Sequence, residues 1–205
     1  MPRLSRPLPA LLLAVVVTGA AVAAGVVLQS PPATHPTTTR PLATRLSSID
    51  TTTAVVRRGP FCDHVPSADV HAAVDDDSPK AAAWSNGDPL PGTHDVAHEF
   101  GCSWTSGSGT VASAWVFAPP VTVARGEELV ASARAQRGCT PLPGAAAFGS
   151  PTVALKCVAG ATTTLSYRGL FGDAWLVCQL AGSRAPDPAD VADRWCASVL
   201  QAAGT

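Results

Sequence analysis

Two groups of side chains in this sequence have the types and spacing to do chemistry. The first is the run His94-Asp95-Val96-Ala97-His98-Glu99. Imidazoles four residues apart can hold zinc when a helix brings them to one face. Here Pro91-Gly92 before the pair and Phe100-Gly101-Cys102 after it point to a loop entering a strand. The helical context is missing, so His94 and His98 are weak metal candidates and read as surface histidines. His64 and His71 would join them only if the fold gathered all four. The second group is six cysteines, Cys62, Cys102, Cys139, Cys157, Cys178 and Cys196. No two form a Cys-x-x-Cys, the short spacing usual in zinc sites and thiol redox motifs. An even count at wide spacing points to three disulfides. Six cysteines allow 15 pairings, which sequence does not choose among. Sequential pairing, Cys62–Cys102, Cys139–Cys157 and Cys178–Cys196, is the working expectation, each bridge contributing about 3–4 kcal/mol through loop closure.

Other chemistries lack their signatures. A serine hydrolase needs an activated serine, a base and an orienting acid, and no Gly-x-Ser-x-Gly elbow is present. Gly107-Ser108-Gly109 reads as a turn. Neither a Walker sequence nor a Gly-x-Gly-x-x-Gly opening a helix occurs, which argues against a nucleotide site. Asp75-Asp76-Asp77 lacks the spaced pattern of a calcium loop and reads as a solvated turn. Residues 60–205 carry fourteen acids against eight Lys or Arg. That balance argues against a nucleic-acid partner, which needs a basic footprint. No cofactor is expected. Of the five tryptophans, Trp104, Trp115 and Trp195 fall at pattern-buried positions. Trp84 and Trp175 flank turns, which makes them the ligand-binding candidates.

The compartment follows from Ala10 to Leu28, an uncharged apolar run preceded by Arg3 and Arg6. About 20 apolar residues cross a bilayer core of ~30 Å as a helix. Two readings stand. The whole run is an uncleaved transmembrane anchor, with residues 1–9 cytoplasmic and the C-terminal portion extracytoplasmic by its closer charges. Alternatively it is a signal peptide cut after Ala21-Val22-Ala23, which releases a secreted protein. Residues 29–59, rich in Pro and Thr, show no sustained apolar period and read as an exposed stalk, with Arg57 and Arg58 as a solvated end. An export segment in front of the cysteines places them in an oxidising space.

Residues 60–205 must then position whatever site exists. Ser67 to about Val74 reads as a short helix. Lys80 to His94 is rich in turn residues and reads as a loop anchored by Trp84. Ala97–Thr105 and Thr110–Ala118 read as a hairpin. In its second strand Val111, Trp115 and Phe117 alternate with Ala112, Ala114 and Val116. A helix is expected from about Ala124 to Arg137, stopped by Gly138. Strands follow at Thr152–Val158, Thr162–Arg168 and Ala174–Leu180. The last helix has the clearest ends, with Asp187 as cap, Pro188 at the first helical position and Gly204 after the end. Val191, Trp195, Val199 and Ala202 form its buried stripe. The expected fold is α+β: an antiparallel sheet of about five strands, helices packed mainly on one face, stapled by disulfides.

Several of these segments carry a likeness. Cys62-Asp63, the helix opening Val65-Pro66-Ser67-Ala68-Asp69-Val70 and Gly101-Cys102-Ser103-Trp104 together resemble the opening of an actinobacterial family of exported proteins of unknown function, many of them lipoproteins. The turn Gly169-Leu170-Phe171-Gly172-Asp173-Ala174-Trp175 and the Trp195-Cys196 helix are more particular to a subgroup. A weaker likeness is to the disulfide-bonded ectodomains of actinobacterial sensor kinases. This chain departs in lacking the lipoprotein cysteine and a kinase domain. The resemblance covers most of residues 60–205 and supplies no catalytic residues. It implies a binding or accessory role in the cell envelope, with the membrane and an envelope protein or ligand as partners. Two other readings stay open: an envelope enzyme whose acids, such as Asp95 and Glu99, meet in a cleft, and a structural or assembly protein without a small ligand.

Overall fold

The computed structural model describes residues 44–90 and 92–205. Residues 1–9, the apolar run Ala10–Leu28 and residues 29–43 of the expected stalk lie outside them. Among the described residues no helix is long and apolar enough to cross a membrane.

The sheet is built from two meanders. Strands β1 (Lys80–Trp84), β2 (Glu99–Thr105) and β3 (Val111–Phe117) form the first. Strands β4 (Cys139–Pro141), β5 (Thr152–Ala159), β6 (Thr162–Phe171) and β7 (Ala174–Ala181) form the second. β3 pairs with β7, which gives a seven-stranded sheet in the order β1-β2-β3-β7-β6-β5-β4, every neighbour antiparallel. The α+β class and its antiparallel sheet match the sequence expectation, but the strand count does not: seven, not about five. The two additional strands are the two edges. Lys-Ala-Ala-Ala-Trp has no β-branched residue, and Cys-Thr-Pro is three residues long. Strand preference measures fit to neighbours as much as backbone bias, so pairing made these strands where composition gave no sign. Lys80–Trp84 is therefore an edge strand and not the start of a loop.

Three helices flank the sheet: α1 (Ser67–Val74), α2 (Val123–Arg134) and α3 (Pro188–Ala203). Helix α1 packs against β2 and β3, α3 against β6, β7 and α1, and α2 on the opposite face against β5 and β6. Both faces thus have a core, the larger one under α1 and α3. The alternation in β3 decides which residue goes where. Ala112, Ala114 and Val116 are fully buried under the helices, while Trp115 and Phe117 belong to the smaller core on the α2 side.

Helix α3 forms as its signals predict. The Asp187 carboxylate accepts from the Asp190 N–H at 3.0 Å, Pro188 is in the first turn, and Gly204 follows the end. Trp195, Val199 and Ala202 are buried, and Val191 is half-buried against the same core. Helix α2 starts earlier than Ala124, because Thr122 caps it by accepting from the Arg125 N–H at 3.2 Å. Ser198 donates to Asp69 at 2.7 Å and ties α3 to α1.

The three disulfides pair sequentially: Cys62–Cys102, Cys139–Cys157 and Cys178–Cys196. Cys139 and Cys157 face each other across β4 and β5, while Cys178–Cys196 fastens β7 to α3. Cys62–Cys102 fastens the 3-10 turn Cys62–His64 to β2.

Residues 44–59 are not an exposed stalk but part of the folded unit. Leu46 is fully buried, its N–H donates to Asp193 at 2.9 Å, and the Arg57 N–H donates to the Ala203 carbonyl at 2.9 Å. Leu46, Thr51 and Val56 reach the core one at a time from an irregular segment. Five residues apart, they match neither the helical nor the strand period that a sequence reading looks for.

Candidate functional site

An open concavity runs along the sheet edge, between β1 and α1. It is a trough of about 440 Å³. Val65, Ser67, Val70 and His71 form its helical wall, and Ala81–Ala83 form its strand wall. Ser67, Val70 and His71 are at i, i+3 and i+4, so one helix face supplies that wall. Ala81 pairs with Trp104 and Ala83 with Cys102, and all four side chains take the α1 side of the sheet. The floor is therefore the half-buried Trp104 and the Cys62–Cys102 bridge. The trough exists because β1 presents methyl groups where a longer side chain would fill it.

Two features stiffen the floor. Trp104 meets the buried Trp195 edge to face, ring centroids 5.5 Å apart. Asp76, in the connector after α1, accepts from the Gly107 N–H and the Ser78 N–H, both at 2.8 Å. These bonds, that to Gly107 first, hold its carboxyl below the usual carboxylate range. Asp75 takes a left-handed conformation (φ 53°) as the helix stop, so the connector turns sharply back into β1. The Asp75-Asp76-Asp77 run thus serves as a clamp between α1, β1 and the β2–β3 turn. Asp77 lines the trough at this end, and Asp63 lines it too.

A second hollow of about 320 Å³ shares Cys62, Asp63 and Ala83 with the trough and extends it toward Trp84 and Phe100. Trp84 is half-buried, its backbone paired with Gly101. Its ring lies where a Gly101 side chain would be, and its Nε1 donates to Glu99 at 3.3 Å. Trp84 lines this second hollow, but its ring packs over Gly101 toward Trp115, on the face of the sheet away from the trough. Trp175, the other tryptophan singled out in the sequence, is 2% exposed inside the α2-side core. The turn beside it is at the surface, but the side chain is not.

The histidines do not come together as a metal site. His94 and His98 are exposed, and His98 faces Asp95 at 3.7 Å. His64 bonds Thr205 at 2.7 Å, and His71 is on the trough wall. Among the described residues no group of three or more His, Cys, Asp or Glu is placed to hold a metal ion. The two acids paired in the enzyme reading have separate structural tasks. Asp95 accepts from the Val96 N–H at 2.9 Å, and Glu99 accepts from Trp84.

A further cavity of about 400 Å³ lies on the far side of the α1/α3 face, lined by Leu142, Leu165, Leu180 and Lys156 near the start of α3. A smaller polar cleft of about 210 Å³ adjoins it, and Tyr167 lines that cleft opposite Asp193. Burial first, and then the Asp193 charge, pushes the Tyr167 phenol well above its ordinary range.

Two elements of the trough escape a sequence reading. Ala81–Ala83 carries no chemistry-bearing side chain, and Trp104 fits a buried strand position. The available hint was the absence of any turn residue between Lys80 and Trp84. No protein-family model matches the chain, and no curated protein is similar to it.

Proposed function

We propose that this chain is an extracytoplasmic binding or accessory domain of the cell envelope, tethered through its apolar N-terminal run, and that the trough between β1 and α1 is its recognition surface. One observation carries the reading: an open concavity floored by a disulfide and by a tryptophan that packs edge to face on a second, buried one. Binding sites combine this shape with a few placed polar groups. Three disulfides, with no free cysteine among the described residues, support an oxidising location.

The test joins topology to recognition. Intact cells expressing the full chain are treated with a membrane-impermeant label, and the protein is then captured from its envelope. A parallel capture uses Ala83→Phe, which fills the trough. The reading expects labelling of residues 44–205 from outside and a captured species that the filled variant loses. Thiols found reduced on the cytosolic side would overturn the location. Identical capture by the filled variant would overturn the surface.

A further inference from the structure

The two edges of the sheet are treated differently. Edge strands expose a row of unpaired backbone groups, which proteins blunt with short strands, Pro, charge, bulges or cover. At β4 the edge is three residues long, ends in Pro141 and is bridged to β5 through Cys139–Cys157. At β1 the edge is five residues long and pairs with β2 in continuous register. It has no proline, and its one charge is Lys80 at the end. Ala81, Ala82 and Ala83 are exposed. Every second residue of such a strand turns its N–H and C=O away from its partner, and among the described residues no side chain or loop bonds to that edge. Helix α1 packs over β2 and β3, so β1 projects beyond it.

The unblunted edge coincides with the trough. A strand added beside β1 would place alternate side chains on the α1 side of the sheet, where the trough receives them. Backbone bonds supply affinity and side-chain pockets supply selectivity in this mode of recognition. The acids on the wall, Asp63 and Asp77, set the sign of the partner. We propose that β1 is the docking strand for an extended peptide segment of a partner protein, which adds to the sheet as an eighth strand and carries a Lys or Arg toward Asp63 or Asp77. This rests on the trough being the recognition surface and names what it recognises.

The probe is a library of synthetic peptides about eight residues long, presented to the full disulfide-intact chain in detergent micelles. The expected binders are extended sequences with a basic residue. N-methylation of alternate peptide bonds in a binder should abolish binding in one alternation and spare it in the other, because only every second amide faces β1. Asp63→Asn/Asp77→Asn should weaken binding about tenfold and flatten its salt dependence, while Lys156→Gln, at the remote cavity, should leave it unchanged. Hydrogen exchange at alternate amides of residues 80–84 should slow on binding. Indifference to N-methylation, or equal binding by the double Asn variant, would overturn the proposal. So would concentration-dependent dimers protected at residues 80–84, because the occupant would then be a second copy. If no peptide binds while Ala83→Phe still abolishes envelope capture, the strand-addition proposal fails and the recognition surface stands.

Discussion

Gly101 sits under the Trp84 ring, and replacing it tests how the end of the β1 edge is held. A methyl at Gly101 would collide with Trp84 Cζ2 and Cε2 and would lie 2.8 Å from Trp115 Cβ. The indole can swing away, whereas Trp115 Cβ is fixed by the β2–β3 pairing. Over-packing of this kind costs about 1–3 kcal/mol. Swinging the ring out also breaks the Trp84–Glu99 bond, about 0.5–1.5 kcal/mol. Restricting the unfolded chain returns about 0.4–1 kcal/mol. Gly101→Ala should therefore destabilise the protein by about 0.5–4 kcal/mol. In a Trp84→Ala background the larger collision and the broken bond are gone, so the same substitution should cost about 1 kcal/mol less. Urea unfolding of the disulfide-intact chain, followed by circular dichroism, gives the double-mutant cycle. Costs that add to within about 0.5 kcal/mol would refute the reasoning, because independent sites add to that tolerance. Gly169→Ala is the contrast. Its methyl would collide with the Phe148 carbonyl oxygen, which is backbone, so its larger loss should not be relieved by trimming any neighbouring side chain.

Peptide mapping without reductant should recover the three sequential bridges. Replacing both cysteines of Cys62–Cys102, which are 40 residues apart, should cost about 4 kcal/mol in urea unfolding, against about 3 kcal/mol for the 18-residue separation of Cys178–Cys196. Tyr167 is the one tyrosine in the chain, so its ionisation can be followed by difference absorbance. Its folded pKa is above the ordinary tyrosine value of 10.0, so the stabilisation it gives is fully present below pH 10 and is lost as pH rises toward the folded value. Phenolate should be absent from the folded protein at pH values where the urea-unfolded chain already shows it. Asp76→Ala should speed exchange of the Gly107 amide. In the parent that protection should hold above the unfolded value of 3.8 and fade as pH falls through the lower folded one, since the folded pKa is depressed.

How much of this could be read beforehand depended on whether a signal was local. The ends of α3 are local: an Asp cap, a proline behind it and a glycine past the last turn, all within one sequence window. The β2–β3 hairpin is nearly local, joined by five small residues, Ser106 to Thr110. The disulfide pairing followed because each bridge joins neighbours along the chain. What was missed depends on partners far away in sequence. β1 is a strand because β2 offers it an edge, and β4 because β5 does. Leu46 is core because Asp193, 147 residues later, fixes its N–H. Trp175 flanks a turn in sequence, yet β7 is a central strand with cores on both sides, so its ring is enclosed. The trough itself is a deficit of side-chain volume, and a run of alanine gives no positive sign of what it makes room for.

The same deficit explains where the longest crosslink lies. Full burial of a Val or Leu side chain is worth about 1.5–3 kcal/mol, and β1 forgoes that at Ala81 and Ala83, whose methyl groups stay exposed on the trough wall. Two such positions forgo about 3–6 kcal/mol, which would leave the 3-10 turn Cys62–His64 and the edge of the sheet weakly joined. The Cys62–Cys102 bridge closes that junction and supplies about 4 kcal/mol, comparable to what the missing packing would have given, without occupying the groove. On the opposite edge the arrangement is reversed. There the Cys139–Cys157 bridge lies across a short, proline-ended strand and closes the edge itself. One edge is therefore crosslinked from beneath and left open, and the other is crosslinked across and shut. That asymmetry is what an antiparallel sheet would need in order to accept a strand on one side only.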